Sequence, residues 1–68
     1  MLSARNQFPG KIKSVKLGNV MAEIVIGVGE IELVSVITRE SATRMKLKKG
    51  MKVTAVIKST EVMVATEV

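Results

Sequence analysis

Neither cysteine nor histidine occurs anywhere in this 68-residue chain. That double absence constrains the fold more than any motif does. A chain this short buries only about 60% of the surface its unfolded form exposes. Small domains therefore usually add disulfides, a structural metal or a partner subunit. Disulfides need Cys, and structural zinc sites are built mainly from Cys and His. Oligomerisation remains. The composition agrees: 47% of the residues are apolar, more than a lone chain of this length readily buries. The sequence predicts a single domain over residues 1–68 that assembles as a homo-oligomer.

The same inventory excludes several functions. Asp and Tyr are also missing. A general acid or base would have to be Glu or Lys, and no Glu pair is spaced for that work, so the chain does not read as an enzyme. Bare metal cations want clustered carboxylates or imidazoles, and neither is present. A net charge of +5 raises the alternative of an OB-type nucleic-acid-binding module. Single-strand binders need aromatic rings on which bases stack, and Phe8 is the only one here; nucleic acid is not an expected partner. No apolar run approaches the ~20 residues of a membrane span, and no secretory leader pattern opens the chain. The sequence reads as soluble and cytoplasmic, and the missing Cys suits a reducing compartment.

Short Val- and Ile-rich segments separated by Gly or polar breaks are an all-β signature. Residues 11–17, KIKSVKL, alternate but slip phase, with Ile12 on one face and Val15 and Leu17 on the other; a bulge near Ser14 reconciles them. Gly18-Asn19 reads as a turn. Residues 20–29 are apolar on nearly both faces, which predicts burial on both, the second by a partner subunit. Residues 30–38 set Ile31, Leu33, Ser35 and Ile37 against Glu30, Glu32, Val34 and Val36. Residues 51–58 turn Met51, Val53, Ala55 and Ile57 inward. Residues 61–68 are a last strand. Between them, residues 38–50 carry Ala42 and Met45 at helical spacing, with Thr38 as N-cap and Gly50 as the stop. The expected architecture is a small OB-like five-stranded β-barrel with one short helix.

Three polar clusters stand outside the strand pattern. They are Ser3-Ala4-Arg5-Asn6-Gln7, Thr38-Arg39-Glu40-Ser41, and Lys58-Ser59-Thr60. Taken singly, a Ser-Thr turn or a Thr-x-x-Ser helix start is ordinarily structural. Together they suit an anion. Hydroxyls and amides donate hydrogen bonds, and Arg and Lys add charge-assisted ones. A helix start and a tight turn both offer free backbone N–H groups.

SARNQ near the start, VMAEIVI in the middle, ITRES before the helix and VTAVIKSTEVMVA at the end resemble the molbindins. These are the small molybdate- and tungstate-binding Mop proteins, whose module recurs in molybdate-responsive regulators and in ATPase subunits of molybdate importers. The resemblance spans essentially the whole chain and suggests the free-standing type. It implies an OB-like barrel assembled as a hexamer, a trimer of dimers. It also implies molybdate or tungstate held between subunits, for molybdenum storage or homeostasis. Ser3, Arg5 and Asn6 match the family's N-terminal ligand segment. Lys58 and Ser59 match its late Lys-Ser, with Thr60 adjacent. Thr38 and Ser41 match its Thr-x-x-Ser, contributed by a neighbouring chain. A second class of oxyanion site carries over to Asn19, Val20 and Met21, largely through backbone groups. On this reading SARNQ is a strand that enters a subunit interface.

Overall fold

Alternating Val and Ile build four antiparallel strands, β1 (Asn6–Leu17), β2 (Met21–Val28), β3 (Ile31–Thr38) and β4 (Lys52–Ile57), in the sheet order β3-β2-β1-β4. A short helix α1 (Arg39–Arg44) follows β3, and a 3₁₀ turn (Ser59–Glu61) follows β4. The structure is a computed structural model and describes residues 4–66.

β1 organises the sheet. Its first half pairs with β4, from Asn6 opposite Ile57 to Lys11 opposite Lys52, and its second half pairs with β2. The register on β2 shifts between Ile12 and Ser14. Lys13 is the extra residue, and the resulting bulge bends the strand. Ile12, Val15 and Leu17 then stand opposite Ile26, Ile24 and Ala22, the three buried residues of β2. The phase slip in KIKSVKL is therefore this bulge. Gly10 marks the changeover between partners. A Cβ there would collide with the carbonyl oxygen of Gly27 and lie 3.0 Å from Val28 Cγ2. Pro9 stands in the half of β1 that β2 does not cover, the kind of edge where a missing N–H is tolerated.

The turns follow their residues. Gly18 N–H donates to the Met21 carbonyl at 2.8 Å. Gly29 and Glu30 join β2 to β3, and only Gly29, at φ +58°, is left-handed, the pattern of a type II′ hairpin turn. Thr38 caps α1: its Oγ1 accepts from the Ser41 N–H at 3.1 Å. The helix ends earlier than Gly50. Lys46 takes a left-handed φ of +56°, its N–H donates to the Thr43 carbonyl, and the Leu47 N–H donates to the Ala42 carbonyl. This is a Schellman motif with lysine where glycine is usual. Gly50, at φ +88°, serves instead the turn before β4, where its N–H donates to the Ile12 carbonyl.

Ile12, Ala22, Ile24, Ile26, Ala42 and Ala55 form the core, ringed by Val15, Val28, Leu33, Ile37, Leu47, Met51 and Val53. The inward set of β4 holds, and that of β3 holds for Leu33, Ser35 and Ile37, while Ile31 at the strand start is 56% exposed. Within the single chain β2 buries one face, with Val25 half-buried and Met21 and Glu23 exposed on the other, the face whose cover is expected from a partner subunit. The sheet is not a closed five-stranded barrel. Residues 62–66 form no strand among the described residues, and β3 and β4 are left as edges. Closure needs a strand between those two edges, and the single chain leaves that place open. The end of the expected last strand, residues 67–68, lies outside the described residues.

Candidate functional site

The strand registers collect the polar clusters at two corners. At the first, Asn6 opens β1 opposite Ile57, the last residue of β4. One step further along each chain are Arg5 and Lys58. Paired residues share a face and successive ones alternate, so Arg5 and Lys58 fall on the outer side of the sheet, and both are exposed. Ser59 and Thr60 follow in the 3₁₀ turn, closed by Glu61 N–H to the Lys58 carbonyl at 2.9 Å, with no side chain capping its start. The first N–H groups of such a turn have no acceptor within it. Gln7 Nε2 donates to the Ala4 carbonyl at 2.6 Å and ties the preceding residues back onto β1. Of the SARNQ stretch, Asn6 and Gln7 are thus paired with β4 of their own chain. Ser3 lies outside the described residues.

The second corner is at the start of β2 and the end of β3, where Met21 stands opposite Thr38. The main-chain N–H of Arg39 donates to the Val20 carbonyl at 2.7 Å, and its Nη1 donates to the Gly18 carbonyl at 3.0 Å. The 18–20 turn is thereby fastened to the helix start. Asn19, Val20, Thr38, Arg39, Glu40, Thr43 and Arg44 line a shallow open depression. The Thr38 hydroxyl donates to Ser41 Oγ at 2.8 Å. One of the two hydroxyl protons is used in this contact, which leaves one free to reach outward.

One chain therefore unites Arg5 and Asn6 with Lys58, Ser59 and Thr60, and unites Thr38 and Ser41 with Asn19, Val20 and Met21. Among the described residues no hydrogen bond joins the two corners. The first lies on β1 and β4, the second on β2 and β3. At the second corner Arg39 stands in the Thr38–Ser41 cluster read from the sequence but not among its candidate ligands, and Thr43 and Arg44 were not singled out. Arg39 carries a signal in ITRES itself, since a cation inside a donor-rich helix start belongs to the same chemistry. Thr43 and Arg44 carry none, because they join the depression only through the helical turn.

Every group at both corners is exposed except Asn6 and Ser41, which are half-buried. Hydrogen bonds to an anion are weak where water competes and much stronger in a desolvated setting.

A TOBE-domain model matches residues 2–64. The chain is 45% identical to molybdenum-pterin-binding protein 3 of Clostridium pasteurianum, over 93% of this chain and 94% of that one. It is 40% identical to a probable molybdenum-pterin-binding protein of Haemophilus influenzae, over 97% of each. Its fold superposes on a molybdate-binding protein from Sporomusa ovata with a TM-score of 0.92 at 39% identity, covering 97% of this chain and 98% of the other. It superposes on MopII from C. pasteurianum with a TM-score of 0.91 at 40% identity, covering 97% and 100%. The family match over residues 2–64, the near-full-length identity and the superposition of folds place the chain in the TOBE-domain family, among the small Mop proteins, the molbindins.

Proposed function

We propose that this chain binds molybdate or tungstate at sites formed between subunits of a homo-oligomer, a hexamer built as a trimer of dimers, and so stores or buffers molybdenum in the cytoplasm. The observation that carries the reading is the separation of the donors into two exposed corners, on a chain similar along its whole length to molybdate-binding proteins. A corner from one subunit, set against a complementary surface of another, would surround a tetrahedral oxyanion and remove it from water.

The chemistry suits such a ligand. Molybdate is a dianion at neutral pH and needs no proton from its site. Arg5 and Lys58 supply two positive charges at the first corner. Asn6, Ser59 and Thr60 supply neutral donors, and Ser3 belongs to the same ligand segment by the family match. Thr38 and Ser41 would come from a neighbouring chain. Asn19, Val20 and Met21 would serve a second class of site through main-chain groups. Carboxylates repel an oxyanion; among the described residues Glu40 lines the second corner and Glu61 ends the turn at the first, and both would have to turn away from a bound anion. Charge and shape are shared with sulfate, so selection rests on the size of a rigid cavity.

Titration calorimetry with molybdate, tungstate, sulfate and phosphate tests this. Tight binding of the two larger oxyanions and weak binding of sulfate is the expected pattern. Equal affinity for sulfate contradicts it.

A further inference from the structure

The turn between β1 and β2 is only half closed. Leu17 stands opposite Ala22, so Gly18 and Met21 form the last pair of this hairpin, with Asn19 and Val20 as its loop. Such a pair ordinarily exchanges two main-chain hydrogen bonds. Gly18 N–H donates to the Met21 carbonyl at 2.8 Å, but the reverse bond, from Met21 N–H to the Gly18 carbonyl, is not made. The Gly18 carbonyl accepts instead from Arg39 Nη1 at 3.0 Å. The Val20 carbonyl accepts from the Arg39 main-chain N–H at 2.7 Å. That second bond makes Met21 and Thr38 a pair that exchanges no hydrogen bonds with each other in the β2–β3 ladder, so Thr38 does not take the Met21 N–H either.

We infer that Arg39 is the positioning residue of the second oxyanion site: by taking the Gly18 and Val20 carbonyls it holds the turn open and leaves main-chain N–H groups for the anion. A peptide unit is planar and trans, so its N–H points opposite its C=O. Turning the Gly18 carbonyl to Arg39 turns the Asn19 N–H away from Arg39, and turning the Val20 carbonyl there does the same for the Met21 N–H. Met21 N–H would otherwise be spent on closing the hairpin. Donors fixed in advance need no ordering when the ligand arrives. Arg39 therefore acts through the turn and need not touch the anion. The inference deepens the oxyanion-binding reading above at its second site and rests on it.

Arg39 and Arg44 are both exposed and line the same depression. Loss of either removes one positive charge from it, but among the described residues only Arg39 is bonded to the turn. The full chain, Arg39→Gln and Arg44→Gln are titrated with molybdate, and bound oxyanions are counted by native mass spectrometry. In Arg39→Gln the first site is expected to fill as before and the second to bind about tenfold more weakly, as for a lost charge-assisted hydrogen bond. Arg44→Gln is expected to weaken the second site by only about twofold, as for an exposed charge. Equal weakening in the two variants assigns the effect to charge and overturns the positioning role. If Arg39→Gln does not assemble, Arg39→Lys carries the comparison, since its ammonium keeps the charge but ends one bond short of the nitrogen that reaches Gly18. A weakened second site in Arg39→Lys supports the role, and unchanged affinity overturns it. A full chain that takes up no oxyanion, or fills one class of site only, removes the two-site reading and this inference together. Unchanged second-site affinity in Arg39→Gln removes this inference alone.

Discussion

Lys46 is the residue held furthest from its preferred backbone state. Left-handed φ costs an L-residue roughly 1–2 kcal/mol relative to the right-handed region, and the Schellman motif at the end of α1 holds it there through two main-chain hydrogen bonds. Glycine has no such cost but loses more chain entropy on folding. Lys46→Gly should therefore raise stability by up to about 1 kcal/mol in chemical denaturation. Thr38 does two things at once, accepting from the Ser41 N–H and donating to the Ser41 hydroxyl. Thr38→Val removes the cap, worth about 1 kcal/mol, which is about 4–8 °C in Tm for a domain of this size. It should also shrink any stabilisation by molybdate while leaving the sheet folded. Arg5 separates the site from the general basic charge. In the proposed intersubunit site Arg5 would become a desolvated, charge-assisted donor, and its loss should then cost roughly 2–5 kcal/mol of oxyanion affinity, whereas Lys49→Ala, at an exposed lysine away from both corners, should leave binding unchanged. Titration of both variants distinguishes them, and full affinity in a correctly assembled Arg5→Ala protein contradicts the assignment.

At the scale of elements, β1 decides the sheet, and Gly10 decides β1. An alanine Cβ at Gly10 meets main-chain atoms of Gly27 that cannot move without breaking the β1–β2 pairing. Gly27→Ala meets only the flexible Lys13 side chain, with its Cε at 2.9 Å. That side chain crosses Gly27 to reach Glu32 Oε2 at 3.1 Å, a pair in which both partners are more than half exposed. Exposed pairs contribute at most about 1 kcal/mol, while overpacking costs typically 1–3 kcal/mol. Gly10→Ala should therefore destabilise by about 2 kcal/mol and Gly27→Ala by less than 1 kcal/mol, as read by parallel denaturant melts. Much of this level was legible in the sequence. The bulge in KIKSVKL, the inward faces of β3 and β4 and the Thr38 cap all follow from local periodicity and capping chemistry. The helix stop was misplaced because the left-handed position carries Lys, while the glycine that signals a stop, Gly50, belongs to the next turn. The last strand expected from the composition of residues 61–68 is not formed within the single chain among the described residues, because apolar alternation says that a segment can pair without saying with what.

For the whole molecule, the missing Cys and His set the terms. A sheet with two free edges, an open apolar seam, and Met63 and Val64 exposed is incomplete as a single chain. Composition and motifs nominate residues of the right chemistry for an oxyanion, and the strand registers sort them into two corners. On the proposed reading a second chain completes each site, which one sequence does not describe. Ligand and assembly are then linked. An anion that bridges subunits binds the native oligomer and not the unfolded chain, and should stabilise it by about 2.7 kcal/mol at a hundredfold excess over Kd. Molybdate should raise Tm at low ionic strength where sodium chloride of equal ionic strength does not. The most direct test of the central claim is native mass spectrometry of the full chain with and without molybdate. A hexamer that takes up a fixed number of oxyanions, and dissociates less readily once they are bound, is the expected result. A monomer that stays monomeric on adding molybdate, or a hexamer that takes up none, contradicts the account.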